Sequence, residues 1–109
     1  MAPTSAAHPP LRVATWNINS VRLRIASVCR FLEQWQPDVL CLQETKVQDA
    51  DFPAAAFVGA GYPHITMRGD KSYNGVAIVS RVPFEGMRFE GWAGKNDCRH
   101  ITVNMPGAI

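Results

Sequence analysis

Two apolar runs of strand length, residues 11–16 and 38–43, bracket one amphipathic stretch that Pro37 brings to a stop. That order leaves few folds open. The second run, Asp38-Val39-Leu40-Cys41-Leu42-Gln43, is nearly all apolar without alternation, the pattern of a strand covered on both faces in a parallel sheet. Between the runs, Val21, Ile25, Val28, Leu32 and Trp35 recur at steps of four, three, four and three, which predicts a helix with one apolar stripe. Arg22, Arg30, Glu33 and Gln34 fall on its other faces. Strand, helix and strand of this length form a βαβ unit, and its right-handed crossover brings both strands' carboxyl ends to one edge of the sheet.

At that edge stand Asn17, closing the first run, and Glu44, closing the second. Ligands of open α/β sheets collect there. A carboxylate and an amide oxygen are hard donors that suit Mg²⁺, with Mn²⁺ as a substitute, and a divalent ion is the usual device for cleaving phosphate esters. Each residue also has a plainer role open to it: Glu44 as a loop carboxylate or cap, Asn17 as a turn residue. Asn17-Ile18-Asn19-Ser20 is a polar turn suited to capping the helix, which is expected to begin at Val21.

Further along, residues 49–60 predict a short irregular helix ending at Gly59-Ala60-Gly61. Residues 62–68 and 75–80 read as strands that pair as a hairpin around a polar turn at 69–72. Residues 84–92 are mixed, 93–97 a loop, and 100–104 another strand. Residues 1–10, rich in Ala and Pro, read as a flexible tail, and 11–109 as part of one domain. Trp16 and Trp35 follow the apolar periodicities and are expected in the core, with His64 and His100 structural.

A formal net charge of +2 permits a polyanionic partner without implying one. Cys29, Cys41 and Cys98 are odd in number and lack metal-binding spacing, which argues against a disulfide framework or a zinc site. No apolar run approaches the ~20 residues of a membrane span. The expected home is the cytoplasm, with no membrane partner.

Three strings carry a more specific signal: Thr15-Trp16-Asn17-Ile18-Asn19-Ser20-Val21-Arg22, the run from Pro37 through Gln43-Glu44-Thr45-Lys46, and Ser72-Tyr73-Asn74-Gly75-Val76-Ala77-Ile78-Val79-Ser80-Arg81. In type, order and spacing they resemble the exonuclease III family of apurinic/apyrimidinic endonucleases. The resemblance implies an α/β (α+β) fold, a four-layered sandwich of two mixed β-sheets, of which this chain supplies roughly the N-terminal half. It implies catalytic roles for Asn17, Glu44 and Lys46, with Glu44 coordinating Mg²⁺, Asn17 in the same cluster and Lys46 ordering it. It also implies DNA-backbone contacts from Tyr73, Asn74 and Gly75 and a place for Asn19 holding a water or a second ion; Asn19 is also expected to face DNA, as is Arg22 from the first turn of the predicted helix, where a solvated face is the plainer role. The implied substrate is double-stranded DNA with abasic sites or 3′ ends, and the full-length protein is expected to be a monomer.

The family pattern continues past the position of Ile109 into a Tyr, an Asp/Asn pair, a further Asp and a water-activating Asp-His pair. The alternatives are therefore a non-catalytic nucleic-acid-binding fragment, or another phosphoesterase of the superfamily sharing the Asn and Glu strand ends. Residues 1–109 alone are expected to show no cleavage of an abasic duplex in a gel incision assay, since the general base is missing.

Overall fold

The computed structural model describes residues 11–69, 74–89 and 101–104, so the expectations for residues 1–10, Tyr73, Cys98 and His100 lie outside the described residues. Strand β1 (Val13–Asn17) leads through helix α1 (Ile25–Trp35) into β2 (Val39–Gln43), which pairs parallel to β1 with Asn17 opposite Gln43. This is the βαβ unit. A short 3₁₀ turn (Asp49–Asp51) and helix α2 (Ala54–Gly59) precede the antiparallel hairpin of β3 (His64–Arg68) and β4 (Val76–Ser80). Strand β4 also pairs antiparallel with β2, so the sheet is mixed and runs β1-β2-β4-β3. Strands β5 (Glu85–Phe89) and β6 (Ile101–Asn104) form a separate antiparallel ribbon.

Alternate residues of each strand decide which face is covered. Leu40 and Leu42 of β2 and Ala77 and Val79 of β4 are buried against Val28 and Leu32 of α1, Phe57 of α2 and Tyr62. Trp16 packs on this core and meets Phe31 edge-on at a 5.5 Å ring separation. His64 is half-buried against Phe84. Cys29 and Cys41 are free thiols, and burial pushes the Cys41 thiol up.

Two expectations need correction. Helix α1 starts four residues late, because the Val21 N–H bonds to the Thr45 carbonyl at 3.0 Å and Ser20 N–H to that of Glu44 at 2.8 Å. Ser20 is therefore not the helix cap; Arg24 holds that position without a side-chain bond. Helical spacing cannot show that a turn is needed to bond a loop more than twenty residues away. Trp35, the last residue of α1, is 55% exposed rather than in the core, and left-handed Gln36 turns the chain away just after it.

At the amino edge of the sheet, Asp38 ties three strands. Its Oδ2 accepts from the Arg12 N–H at 2.8 Å and its Oδ1 from Arg81 Nη2 at 2.7 Å, while its carbonyl accepts from the Arg81 N–H at 2.9 Å. The Arg12 backbone bond, then that of the Arg81 guanidinium, holds the Asp38 carboxyl below the usual value of 3.8. A depressed carboxylate stabilises the fold above its unfolded pKa, and that contribution is lost as pH falls through the lower folded value. Asp38→Asn is therefore expected to cost about 1–2 kcal/mol at pH 7 and progressively less below pH ~4, measured by urea denaturation across that range.

Candidate active site at the carboxyl edge of the sheet

Strands β1 and β2 end side by side, and the loops that follow are laced together. Ile18 N–H bonds to Gln43 O at 2.9 Å, and the bonds from Ser20 and Val21 continue the seam to Glu44 and Thr45. On the far side, Thr45 N–H bonds to Gly75 O at 3.1 Å and Lys46 N–H to Asn74 O at 2.8 Å. Three segments distant in sequence thus meet along one backbone seam.

The seam imposes unusual backbone geometry. Asn19, Ser20, Glu44, Lys46 and Asn74 all have positive φ, between 47° and 83°. A left-handed residue other than Gly costs about 1–2 kcal/mol, less for Asn, so such residues persist where neighbours over-determine them, typically at functional sites. Thr45 is buried between left-handed Glu44 and Lys46, whose side chains remain 44% and 37% exposed. Gly75 has φ +94°, and a Cβ there would lie 2.1 Å from Thr45 Oγ1. Only glycine meets both demands.

On this frame Asn17 Nδ2 donates to Glu44 Oε2 at 2.6 Å. Lys46 Nζ lies 3.8 Å from Glu44 Oε1 and donates to Asn19 Oδ1 at 2.6 Å. Asn17, Glu44, Lys46 and Asn19 form one chain of polar contacts. An open cleft of about 300 Å³ is lined by Asn17, Gln43, Glu44, Asn74, Gly75 and Val76. Arg22 is exposed in the turn before α1, and Arg24 donates from Nε to Ile18 O at 2.8 Å, bracing the loop.

Among the described residues Asn17, Asn19, Glu44, Lys46, Asn74 and Gly75 thus converge, whereas Arg22 stands outside the contact chain and Tyr73 lies outside the described residues. The sequence reading missed Gln43, which shares the cleft, and Thr45, which anchors its floor. In the sequence Gln43 reads as the end of an apolar run, and its place beside Glu44 is the available signal.

The donors fit a hard divalent cation in part. Among the described residues no cluster of three His, Cys, Asp or Glu side chains surrounds Glu44. One carboxylate with neighbouring amide oxygens in an open cleft suits Mg²⁺, which keeps several waters and takes few protein ligands. Gly75→Ala is expected to destabilise the protein by about 1–3 kcal/mol by urea denaturation, because the methyl must displace Thr45 and strain the turn.

The Endonuclease/Exonuclease/phosphatase family model matches residues 14–108. Exodeoxyribonuclease III of Haemophilus influenzae is 37% identical over 71 residues, covering 65% of this chain and 26% of that protein. A DNA repair nuclease of Danio rerio is 29% identical over 75 residues, covering 65% and 24%. The chain thus spans about a quarter of the length of these curated relatives. An AP endonuclease from Archaeoglobus fulgidus superposes with a TM-score of 0.83 at 40% identity, over 90% of this chain and 38% of that one. A 3′ phosphatase from Neisseria bound to product DNA hairpin gives a TM-score of 0.83 at 38% identity, with the same coverage. The laced sheet edge and these likenesses agree: the chain belongs to the endonuclease/exonuclease/phosphatase family, on its exonuclease III and AP endonuclease branch.

Proposed function

We propose that the complete protein is a Mg²⁺-dependent DNA-repair nuclease that hydrolyses phosphodiesters at abasic sites and 3′ ends. The observation that carries this reading is the contact of Asn17 with Glu44 at 2.6 Å at the carboxyl edge of the sheet. Glu44, with Asn17 beside it, would hold the cation. When bound, that cation supplies positive charge to the phosphate and to the leaving 3′-oxygen.

The chain's own residues divide the remaining work. Asn17 holds one Glu44 oxygen by donating to it, which keeps the carboxylate oriented. Lys46 offers a positive charge beside the other oxygen and is itself positioned by Asn19. Asn19 spends its carbonyl on that lysine, so its NH₂ is the part left for a DNA phosphate. Asn74 and Gly75 bring backbone to the cleft wall, where no side chain from Gly75 obstructs a polyanion. Arg22 extends the positive rim on the α1 side. Double-stranded DNA is the proposed partner, the proposed form is a monomer, and the proposed setting is the cytoplasm.

Glu44→Gln in the complete protein is expected to lower Mg²⁺-dependent incision of an abasic duplex by at least 10²-fold, as loss of a charged group at a transition-state site does. Lys46→Met is expected to have a smaller effect, about tenfold or more in kcat. Both are read from single-turnover incision, and Glu44→Gln activity equal to wild type would remove Glu44 from the site.

A further inference from the structure

Asn17, Asn19 and Gln43 carry amides whose orientation their partners dictate. Asn17 meets a carboxylate and must present its nitrogen; Asn19 meets an ammonium and must present its oxygen. Gln43 meets the Cys41 carbonyl, which has no hydrogen to give, so nitrogen must face it. Its Nε2 donates to Cys41 O at 3.2 Å and to Thr15 Oγ1 at 2.9 Å. Both amide hydrogens of Gln43 are thereby used. Its carbonyl oxygen Oε1 is left, and among the described residues no donor engages it.

Gln43 is also well placed. It lines the cleft with Asn17 and Glu44, stands opposite Asn17 in the β1–β2 register and is half-buried. Two hydrogen bonds at the nitrogen end leave the side chain little freedom, so the oxygen is presented without a further ordering cost.

We propose that Gln43 contributes a third oxygen to this site, its Oε1 accepting from the water shell of the cation that Glu44 and Asn17 hold. The Cys41 carbonyl fixes which end of the amide turns inward, and Thr15 is then a positioning residue because its hydroxyl accepts the second amide hydrogen. The proposal rests on the cation reading given above. Mg²⁺ retains bound waters, and loss of outer-shell hydrogen-bond partners around a metal site typically costs about 10–100-fold in affinity or activity.

The test is Mn²⁺ binding by the complete protein without DNA, followed by electron paramagnetic resonance of the free ion. Gln43→Leu is expected to weaken Mn²⁺ binding about tenfold. Gln43→Glu keeps an acceptor oxygen but cannot donate to Thr15 and Cys41, and it is expected to bind at least as tightly as wild type. Wild-type affinity in Gln43→Leu, or equal losses in both variants, overturns the proposal, since equal losses mean that the donor clamp alone matters. Mn²⁺ binding unchanged by Glu44→Gln overturns the cation reading itself, and this inference with it.

Discussion

The seam of backbone hydrogen bonds across Thr45 is the constraint on which the rest of the site depends. Loop 18–21 donates from its N–H groups to the carbonyls of residues 43–45, and on the other side the carbonyls of Gly75 and Asn74 accept from the N–H groups of Thr45 and Lys46. Because the seam is made of main-chain groups that must be satisfied somewhere, it holds the loops without relying on the exposed side chains beside it. Thr45 fills the floor, Gly75 admits it, and Glu44 and Lys46 are turned out to solvent on either side.

The two edges of the sheet differ in how they use their polar groups. At the amino edge, Asp38 satisfies both carboxylate oxygens with Arg12 and Arg81 in ordinary backbone conformations. At the carboxyl edge, left-handed residues and half-exposed charges gather in a small space. Strain of this kind persists only where the surrounding structure is secure. The central strands β2 and β4, buried and paired on both sides, link the two edges and transmit that security. Exposed polar groups at the carboxyl edge then remain available for a ligand.

Much of the arrangement was legible in the residues. The unbroken apolar run of β2, the stripe of α1 and the stop at Pro37 together required a βαβ unit, and parallel pairing then required Asn17 and Glu44 to share an edge. The hairpin of β3 and β4 followed from its polar turn. The start of α1 and the exposure of Trp35 were not legible, since periodicity reports a face and not which neighbour covers it. Gln43 was hidden for a related reason: a polar residue ending an apolar run looks like a boundary until its partners are seen.

The sequence by itself determined the order of elements, the edge at which the site lies and the kind of atoms gathered there, because these follow from local periodicity and parallel-strand geometry. Only the tertiary structure decided which end of each amide faces the cleft, why position 75 must be glycine, and why the helix yields its first turn to a loop. Those outcomes depend on hydrogen bonds and contacts between residues some 24 to 30 positions apart, and no pattern along the chain records a partner that distant.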